Sequence, residues 1–153
     1  NFFGSKDNLR RIIIKNMLDE SIEKIRTLIE KEGSFSDKIE EYIRIRTWYY
    51  GKYSLRLFFE AVESDPEVRQ YVDEFNAANK RLLMRSIAEG KRSGIFSPDV
   101  SDSAIEIYID MIQTYLMHNR EIRERIERNP ELIREINMMF IDGLIRGTEN
   151  PKA

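Results

Sequence analysis

The chain has 153 residues and a net charge of −2, with 41% hydrophobic and 34% charged residues, a composition typical of a globular domain. It contains no cysteine, which excludes disulfides, thiolate metal sites and a cysteine nucleophile. No apolar run approaches the roughly 20 residues that a membrane-spanning helix needs, so we expect no membrane partner. The lack of cysteine is compatible with the cytoplasmic location that we expect.

Basic residues are concentrated at the start of the chain. Lys6, Arg10, Arg11 and Lys15 outnumber Asp7 there, whereas acidic side chains are in excess over the remainder. A basic end on an acidic body is a weak indication that this end faces an anion such as DNA. Chance scatter of surface charges explains the same pattern and is the simpler interpretation.

A long first helix is predicted to begin just after Ser5, which can cap it, with Asp7 in its first turn. We expect this helix to end near Gly33, since glycine commonly follows a helix. Between these limits apolar residues recur at helical spacing, for example at Leu9, Ile13, Met17, Leu18, Ile22, Ile25 and Ile29.

The middle of the chain predicts three further helices. Ser36-Asp37 is expected to cap the first of them, and Gly51 to separate it from the next. Pro66 is expected at the first position of a long helix that ends near Gly94. With few glycines and prolines and no convincing strand pattern, the chain predicts an all-α protein of six or seven helices.

The last two long helices have unusually wide apolar arcs. The first of these helices starts at Ser101 or Asp102, and the second opens at Asn129-Pro130. Between them, the alternating charges of residues 120–128 predict a solvated helix face. We expect the two apolar helices to pair with their copies in a homodimer, as a four-helix bundle. The alternative is that both are buried within one chain. The expected dimer-interface residues are Ile105, Ile109, Ile112, Leu116, Ile136, Met139, Phe140, Gly143 and Leu144.

The start of the chain resembles a junction found in TetR-type transcriptional regulators. There, an aromatic–Phe pair ends the recognition helix, and a Ser/Asn-Lys-Glu/Asp-x-Leu sequence opens the next long helix. The matching residues are Phe2, Phe3, Ser5, Lys6, Asp7 and Leu9. Residues 88–99 also resemble the "EGxxxGxF/L-x-PD" connection of that family's regulatory domain, and residues 142–147 resemble its closing helix.

This resemblance implies that residues 1–8 are the end of a helix-turn-helix DNA-binding domain and the start of the connecting helix. Residues 9–153 would form an effector-binding and dimerisation domain with the fold of the TetR C-terminal regulatory domain. The base-reading helices would lie upstream of Asn1, and Phe2 and Phe3 would be core residues of that domain. Lys6 occupies the position that contacts a DNA phosphate in the family.

The resemblance also implies an effector pocket among the middle helices, where aromatic residues are dense. Aromatic walls with a few polar groups suit a small apolar or aromatic ligand. The alternative is that these residues are ordinary core. The candidate pocket residues are Trp48, Tyr49, Tyr53, Phe58, Phe75, Met84, Tyr108, Met111, Tyr115 and His118.

No catalytic motif is found in the sequence. His118 is the only histidine, and there is no Glu-x-x-His pair, Gly-x-Ser-x-Gly elbow or phosphate-binding glycine loop. We therefore expect no enzyme activity, cofactor or metal. The predicted function is a homodimeric repressor that binds operator DNA and is released by a small effector. Two alternatives stay open: an all-α interaction or scaffold protein without DNA or effector binding, and an all-α enzyme with an unrecognised site.

Overall fold

The computed structural model describes residues 5–149, apart from the side chains of Tyr50 and of residues 146–149. This part of the chain contains seven α-helices and no strand, which confirms the all-α prediction. Phe2 and Phe3 lie outside the described residues. The helices are α1 (Lys6–Glu30), α2 (Phe35–Lys52), α3 (Leu55–Ser64), α4 (Pro66–Arg92), α5 (Asp102–His118), α6 (Arg120–Arg128) and α7 (Glu131–Glu149).

Three predicted helix starts are confirmed by their capping geometry. The Ser5 hydroxyl accepts a hydrogen bond from the Asn8 amide at 3.1 Å, and Ser101 caps α5 in the same way. Pro66 is the first residue of α4, where its lack of an N–H is harmless. Such capping satisfies amide donors that otherwise have no partner in the first turn of a helix.

Two predicted boundaries are wrong. Ser34, not Ser36, caps α2, because the Ser34 hydroxyl accepts a hydrogen bond from the Asp37 amide at 3.2 Å. Gly51 does not interrupt a helix, since α2 continues to Lys52 and the break falls after it. The first error arises because Ser34 and Ser36 are both suitable caps, and local preference alone cannot choose between them.

The largest core cluster lies where α1 and α3 pack against α4. It contains the buried residues Ile14, Leu18 and Ile25 of α1, Ala61 and Val62 of α3, and Val68, Val72, Phe75 and Leu82 of α4. A second cluster joins α4, α5 and α7, and a third joins α3, α6 and α7. The α5 and α7 helices therefore contribute to the core of the single chain.

The connection after α4 is held by a close contact between Gly90 and Phe96. The amides of Ile95 and Phe96 both donate to the Gly90 carbonyl, at 2.9 and 3.1 Å, and Gly94 turns the chain with a φ of 77°. Phe96 is fully buried, and a Cβ atom on Gly90 would lie 2.6 Å from its Cδ2 atom. Close packing of the Phe96 ring against the Gly90 backbone thus explains why a glycine stands at position 90.

The prediction that residues 120–128 form a solvated face is wrong for Arg123. This side chain is buried, and it donates to the Glu63 carboxylate at 2.8 Å and to the Leu116 and Met117 carbonyls at the end of α5. Its guanidinium also lies over the Phe59 ring, 4.5 Å from the centroid. Arg123 therefore fastens α6 to both α3 and α5.

The direction of the chain changes between α5 and α6 at a single residue. Asn119 ends α5, and its side-chain oxygen accepts a hydrogen bond from the Ile122 amide at 3.0 Å to cap α6.

Among residues 5–149, no helix combines the length and the apolar character that crossing a membrane requires.

Candidate functional site

A cavity of about 120 Å³ lies between the largest core cluster and the third. Residues from α1 to α5 line it, so five helices contribute to one small space. The lining residues are Met17, Leu18, Ser21, Arg46, Tyr49, Tyr53, Ser54, Leu55, Phe58, Phe59, Val72, Phe75, Asn76, Gln113, Leu116 and Met117.

Most of the cavity wall is aromatic or aliphatic, and the aromatic rings come from adjacent segments. Tyr49 and Tyr53 stack in parallel at 6.0 Å across the end of α2, one helical turn apart. Phe58 and Phe59 on α3 meet edge to face at 5.2 Å. Rings packed in these ways make rigid walls that can contact a flat apolar ligand.

A few polar groups interrupt this wall. Arg46 is half-buried, and its guanidinium lies 5.8 Å from the centroid of the Phe75 ring, another lining residue. The side-chain amides of Asn76 and Gln113 make no hydrogen bond within the described part of the chain. Apolar walls with a small number of convergent polar groups are the usual form of a small-molecule site.

Tyr49 is a lining residue whose side chain also carries a polar group. Its oxygen is buried and has no hydrogen-bond partner among residues 5–149. Burial raises the pKa of the Tyr49 hydroxyl, and the Glu20 carboxylate adds to this effect, whereas Lys24 opposes it. The hydroxyl is thus neutral at physiological pH.

Four of the ten predicted pocket residues line the cavity: Tyr49, Tyr53, Phe58 and Phe75. The other six do not. Trp48 is 45% exposed on the surface beside Lys24 and Lys52. Met84 packs in the second core cluster, and the Tyr108 ring stacks on the Phe140 ring with 4.9 Å between their centroids. Met111, Tyr115 and His118 are exposed on α5, where His118 Nδ1 lies 2.9 Å from the Thr114 carbonyl oxygen.

The predicted dimer-interface residues divide into three groups by exposure. Ile105, Ile109 and Leu144 are buried within the single chain, at 1%, 6% and 4% exposure, and so do not face a partner. Ile112, Leu116, Ile136 and Phe140 are partly buried, and Leu116 lines the cavity. Only Met139, at 72% exposure, and Gly143 are exposed.

A different stripe of α5 is exposed instead. Ile107, Met111 and Tyr115 follow one another at spacings of four and are 60%, 57% and 55% exposed. This stripe and the exposed Met139 and Gly143 of α7 are carried by helices that meet through the stacked Tyr108 and Phe140 rings. We call Ile107, Met111, Tyr115, Met139 and Gly143 the α5–α7 face.

The start of α1 is joined to the α3–α4 corner by an ion pair. Arg11 Nε donates to Asp65 Oδ2 at 2.7 Å, and the Arg11 guanidinium also lies 3.3 Å from Glu67. Asp65 is buried and caps α4 through the Glu67 amide at 3.1 Å. The bond from Arg11 is the main cause of a lowered pKa for the Asp65 carboxyl. Lys6, the predicted phosphate contact, is exposed in the first turn of α1.

In the described part of the chain, no cluster of three or more His, Asp or Glu side chains is arranged to hold a metal ion. The described residues that line the cavity include no histidine, aspartate or glutamate. They offer apolar surface, hydrogen-bonding groups and one guanidinium.

Sequence reasoning missed the contributions of α1 and α5 to the cavity. Ser21 stands between Leu18 and Ile25 on the buried face of α1, and Gln113 stands one turn from both Ile109 and Met117 on α5. In both helices a polar residue stands where the helical period predicts an apolar one, and this was the signal that could have identified Ser21 and Gln113.

Comparisons with protein-family models, with curated proteins and with solved structures found no match.

Proposed function

We propose that the chain is the regulatory domain of a TetR-like repressor that dimerises, binds operator DNA through a helix-turn-helix domain and is released by a small effector. The observation that carries the proposal is the combination of a mostly apolar cavity among five helices with an apolar surface on the last helices. The resemblance at the start of the chain supplies the DNA-binding role.

The proposed dimer forms through the α5–α7 face. Ile107, Met111 and Tyr115 form one line on α5, and contiguous apolar surface of this kind commonly marks a protein interface. Gly143 adds to the argument, since a Cβ there would meet nothing within 4 Å in the single chain. A helix-interior glycine that lowers helix stability by about 1 kcal/mol is explained if a partner helix approaches closely.

The proposed route from the cavity to the DNA-binding end runs along α1 and α3. Met17, Leu18 and Ser21 of α1 touch the cavity, so a ligand acts directly on the helix whose start joins the DNA-binding domain. Phe58 and Phe59 belong to α3, which ends at Asp65, the partner of Arg11. A shift of α3 therefore reaches the start of α1 through this ion pair.

In the repressing state the two DNA-binding domains sit about 34–36 Å apart, one turn of DNA. The effector binds more tightly to a second state in which the two α1 helices are tilted and this spacing is altered. Only such a difference in affinity between the two states can couple the cavity to DNA release.

The dimer is tested by placing a charge on the α5–α7 face. Met111→Glu should convert the dimer to a monomer in sedimentation velocity at micromolar concentration, because the interface would have to bury a carboxylate. Leu57→Glu is the matched control, since Leu57 is 56% exposed, like Met111 at 57%, but lies on α3. A monomeric wild type, or equal effects of both variants, would refute the proposed interface.

The regulatory role is tested on the complete gene product. Operator fragments selected from random DNA should be bound at nanomolar concentration, and a compound that occupies the cavity should weaken that binding. A protein that dimerises through the α5–α7 face but selects no DNA sequence would instead be an interaction or scaffold protein.

A further inference from the structure

We infer that Met111 and Met139 on the α5–α7 face form an oxidation-sensitive modification site, at which conversion of the two thioethers to sulfoxides dissociates the dimer. The inference rests on the proposed function only in taking this face as the dimer interface. It adds the class of reagent that modifies the face, a peroxide, and a reversible covalent control of assembly.

Thioether sulfur is the only sulfur in this protein. The chain has six methionines and no cysteine. A response of this chain to peroxide therefore cannot use a thiol, which is the usual redox-active group of proteins. Methionine is the remaining side chain whose sulfur can be oxidised and then restored by a reductase.

Exposure divides the six methionines into two groups. Met111 is 57% exposed, and Met139, at 72%, is the most exposed of the large hydrophobic residues in the described part of the chain. A peroxide in solvent therefore reaches these two side chains most readily. The remaining methionines are all partly buried, and they are Met17, Met84, Met117 and Met138.

Both exposed methionines lie close in sequence to the contact between α5 and α7. The Tyr108 ring of α5 stacks on the Phe140 ring of α7. Met111 follows Tyr108 by three residues, a spacing that makes two side chains neighbours on a helix surface. Met139 immediately precedes Phe140. The two exposed methionines therefore belong to the surface that we propose is buried between two chains.

The oxidation transfers one oxygen atom and needs no catalytic group of the protein. The sulfur lone pair attacks one oxygen of hydrogen peroxide, so that an S–O bond forms while the O–O bond breaks. The hydroxide that leaves takes the proton of the transferred oxygen and becomes water. Sulfur loses two electrons and the peroxide gains them. The product is a polar sulfoxide in place of an apolar thioether.

A sulfoxide on this face opposes dimerisation. In the free chain its oxygen is hydrated, because both methionines are exposed. In the dimer the oxygen would leave water, and the Tyr115 hydroxyl is the only side-chain hydrogen-bond donor among the five residues of the face. Burial of a polar group without a partner is unfavourable. Conversely, the dimer covers both thioethers and protects them from peroxide.

The test follows assembly and oxidation in the same wild-type sample. Sedimentation velocity measures the dimer dissociation constant, hydrogen peroxide is added and then removed with catalase, and peptide mass spectrometry reports the sulfoxide fraction at each methionine. Met111 and Met139 should be oxidised before the other four, and faster below the dissociation constant than above it. The oxidised protein should have a dissociation constant at least about tenfold higher, a difference of about 1.4 kcal/mol.

The double variant Met111→Leu/Met139→Leu is the matched control, because leucine keeps an apolar side chain of similar volume without sulfur. It should dimerise within about threefold of wild type and keep its dissociation constant after peroxide treatment. Methionine sulfoxide reductases with a thiol reductant should return oxidised wild type to the dimer. The reductant has no disulfide to reduce, since the chain has no cysteine.

The outcomes separate this inference from the proposed function. A wild-type dimer that carries sulfoxides at Met111 and Met139 and keeps its dissociation constant overturns the inference and leaves the dimer in place. Preferential oxidation of the other four methionines, or equal dissociation of the leucine variant after peroxide, overturns it as well. A wild type that is monomeric before any oxidant is added contradicts the proposed interface itself, and the inference falls with it.

Discussion

Replacing Gly90 by alanine tests the packing of the α4–α5 connection. Alanine is normally the better helix residue, so the substitution would be stabilising on an open helix surface. Here the added Cβ would lie 2.6 Å from Cδ2, 2.9 Å from Cε2 and 3.3 Å from Cγ of Phe96. Phe96 is fully buried and packs edge to face on Phe35 at 4.7 Å, so its ring has little room to retreat.

The two effects of Gly90→Ala oppose each other. Carbon atoms pack best at about 3.5–4.0 Å, so the Phe96 ring must move by roughly 1 Å. Overpacking of a filled core costs about 1–3 kcal/mol, whereas exchange of glycine for alanine in a helix contributes about 1 kcal/mol in the opposite direction. The contact at 2.6 Å is short enough that we expect a net loss of about 1–2 kcal/mol, or roughly 3–6 °C in Tm.

Urea unfolding at fixed protein concentration, followed by circular dichroism, measures this loss. Gly51→Ala is the matched control, because a Cβ on Gly51 would meet nothing within 4 Å and should leave stability equal or higher. Phe96→Leu removes ring atoms at the contact. The double variant Gly90→Ala/Phe96→Leu should therefore lose less stability than the sum of the losses of the two single variants. A Gly90→Ala protein as stable as Gly51→Ala, or strictly additive losses, would refute the packing argument.

Three further predictions concern polar groups. Arg123→Met should lower the free energy of unfolding in urea by about 2 kcal/mol, because it removes charge-assisted hydrogen bonds to the end of α5. Glu63→Gln should lower it by less than about 1 kcal/mol, since Glu63 is exposed. Asp65→Asn should lower the urea midpoint at pH 7. Arg11 lowers the pKa of the Asp65 carboxyl from its ordinary value, so the contribution of the carboxylate to stability is present above that ordinary value and is lost as the pH falls through the lowered pKa. The difference in urea midpoint between wild type and variant should therefore shrink as the pH is lowered through that range. Tyr49→Phe should raise stability by up to about 1 kcal/mol, because it removes a buried hydroxyl that has no partner in the described chain, and equal or lower stability by calorimetry would argue against this.

Helix starts were predictable because their cause is local. Ser5 and Ser101 accept hydrogen bonds from amides three residues on, and Pro66 suits the first position of a helix because it lacks an N–H. The sequence identified Ser5 and Pro66, and it left Ser101 and Asp102 as alternatives. The start of α2 was misplaced because Ser34 and Ser36 are both suitable caps. Choosing between them depends on which one leaves Phe35 and Ile39 placed to pack on the second core cluster, a tertiary property.

The inward face of α5 was not predictable. The sequence carries two apolar stripes, and both period and hydrophobicity fit either one. Packing against α4 and α7 buries Ile105 and Ile109 and leaves Met111 and Tyr115 exposed. Two residues expected at the interface are therefore in the core, and two residues expected in the pocket are on the surface. Four of the residues that line the cavity were predicted because a high density of aromatic residues is apparent from the sequence alone. Arg46 and Gln113 are brought to the cavity only by the fold.

The single-residue joint at Asn119 limits how this chain can vary in length. The segment between α1 and α2, residues 31–34, is exposed and contains Gly33, so an added residue there can loop into solvent. An added residue at Asn119 would instead change the orientation of α6 relative to α5, because the joint consists of one residue and has no slack to absorb a second. Arg123 would then point away from Phe59 and Glu63, and the cavity wall formed by α3 would lose its anchor. Insertions in related chains should therefore collect in the first connection and be absent from the second.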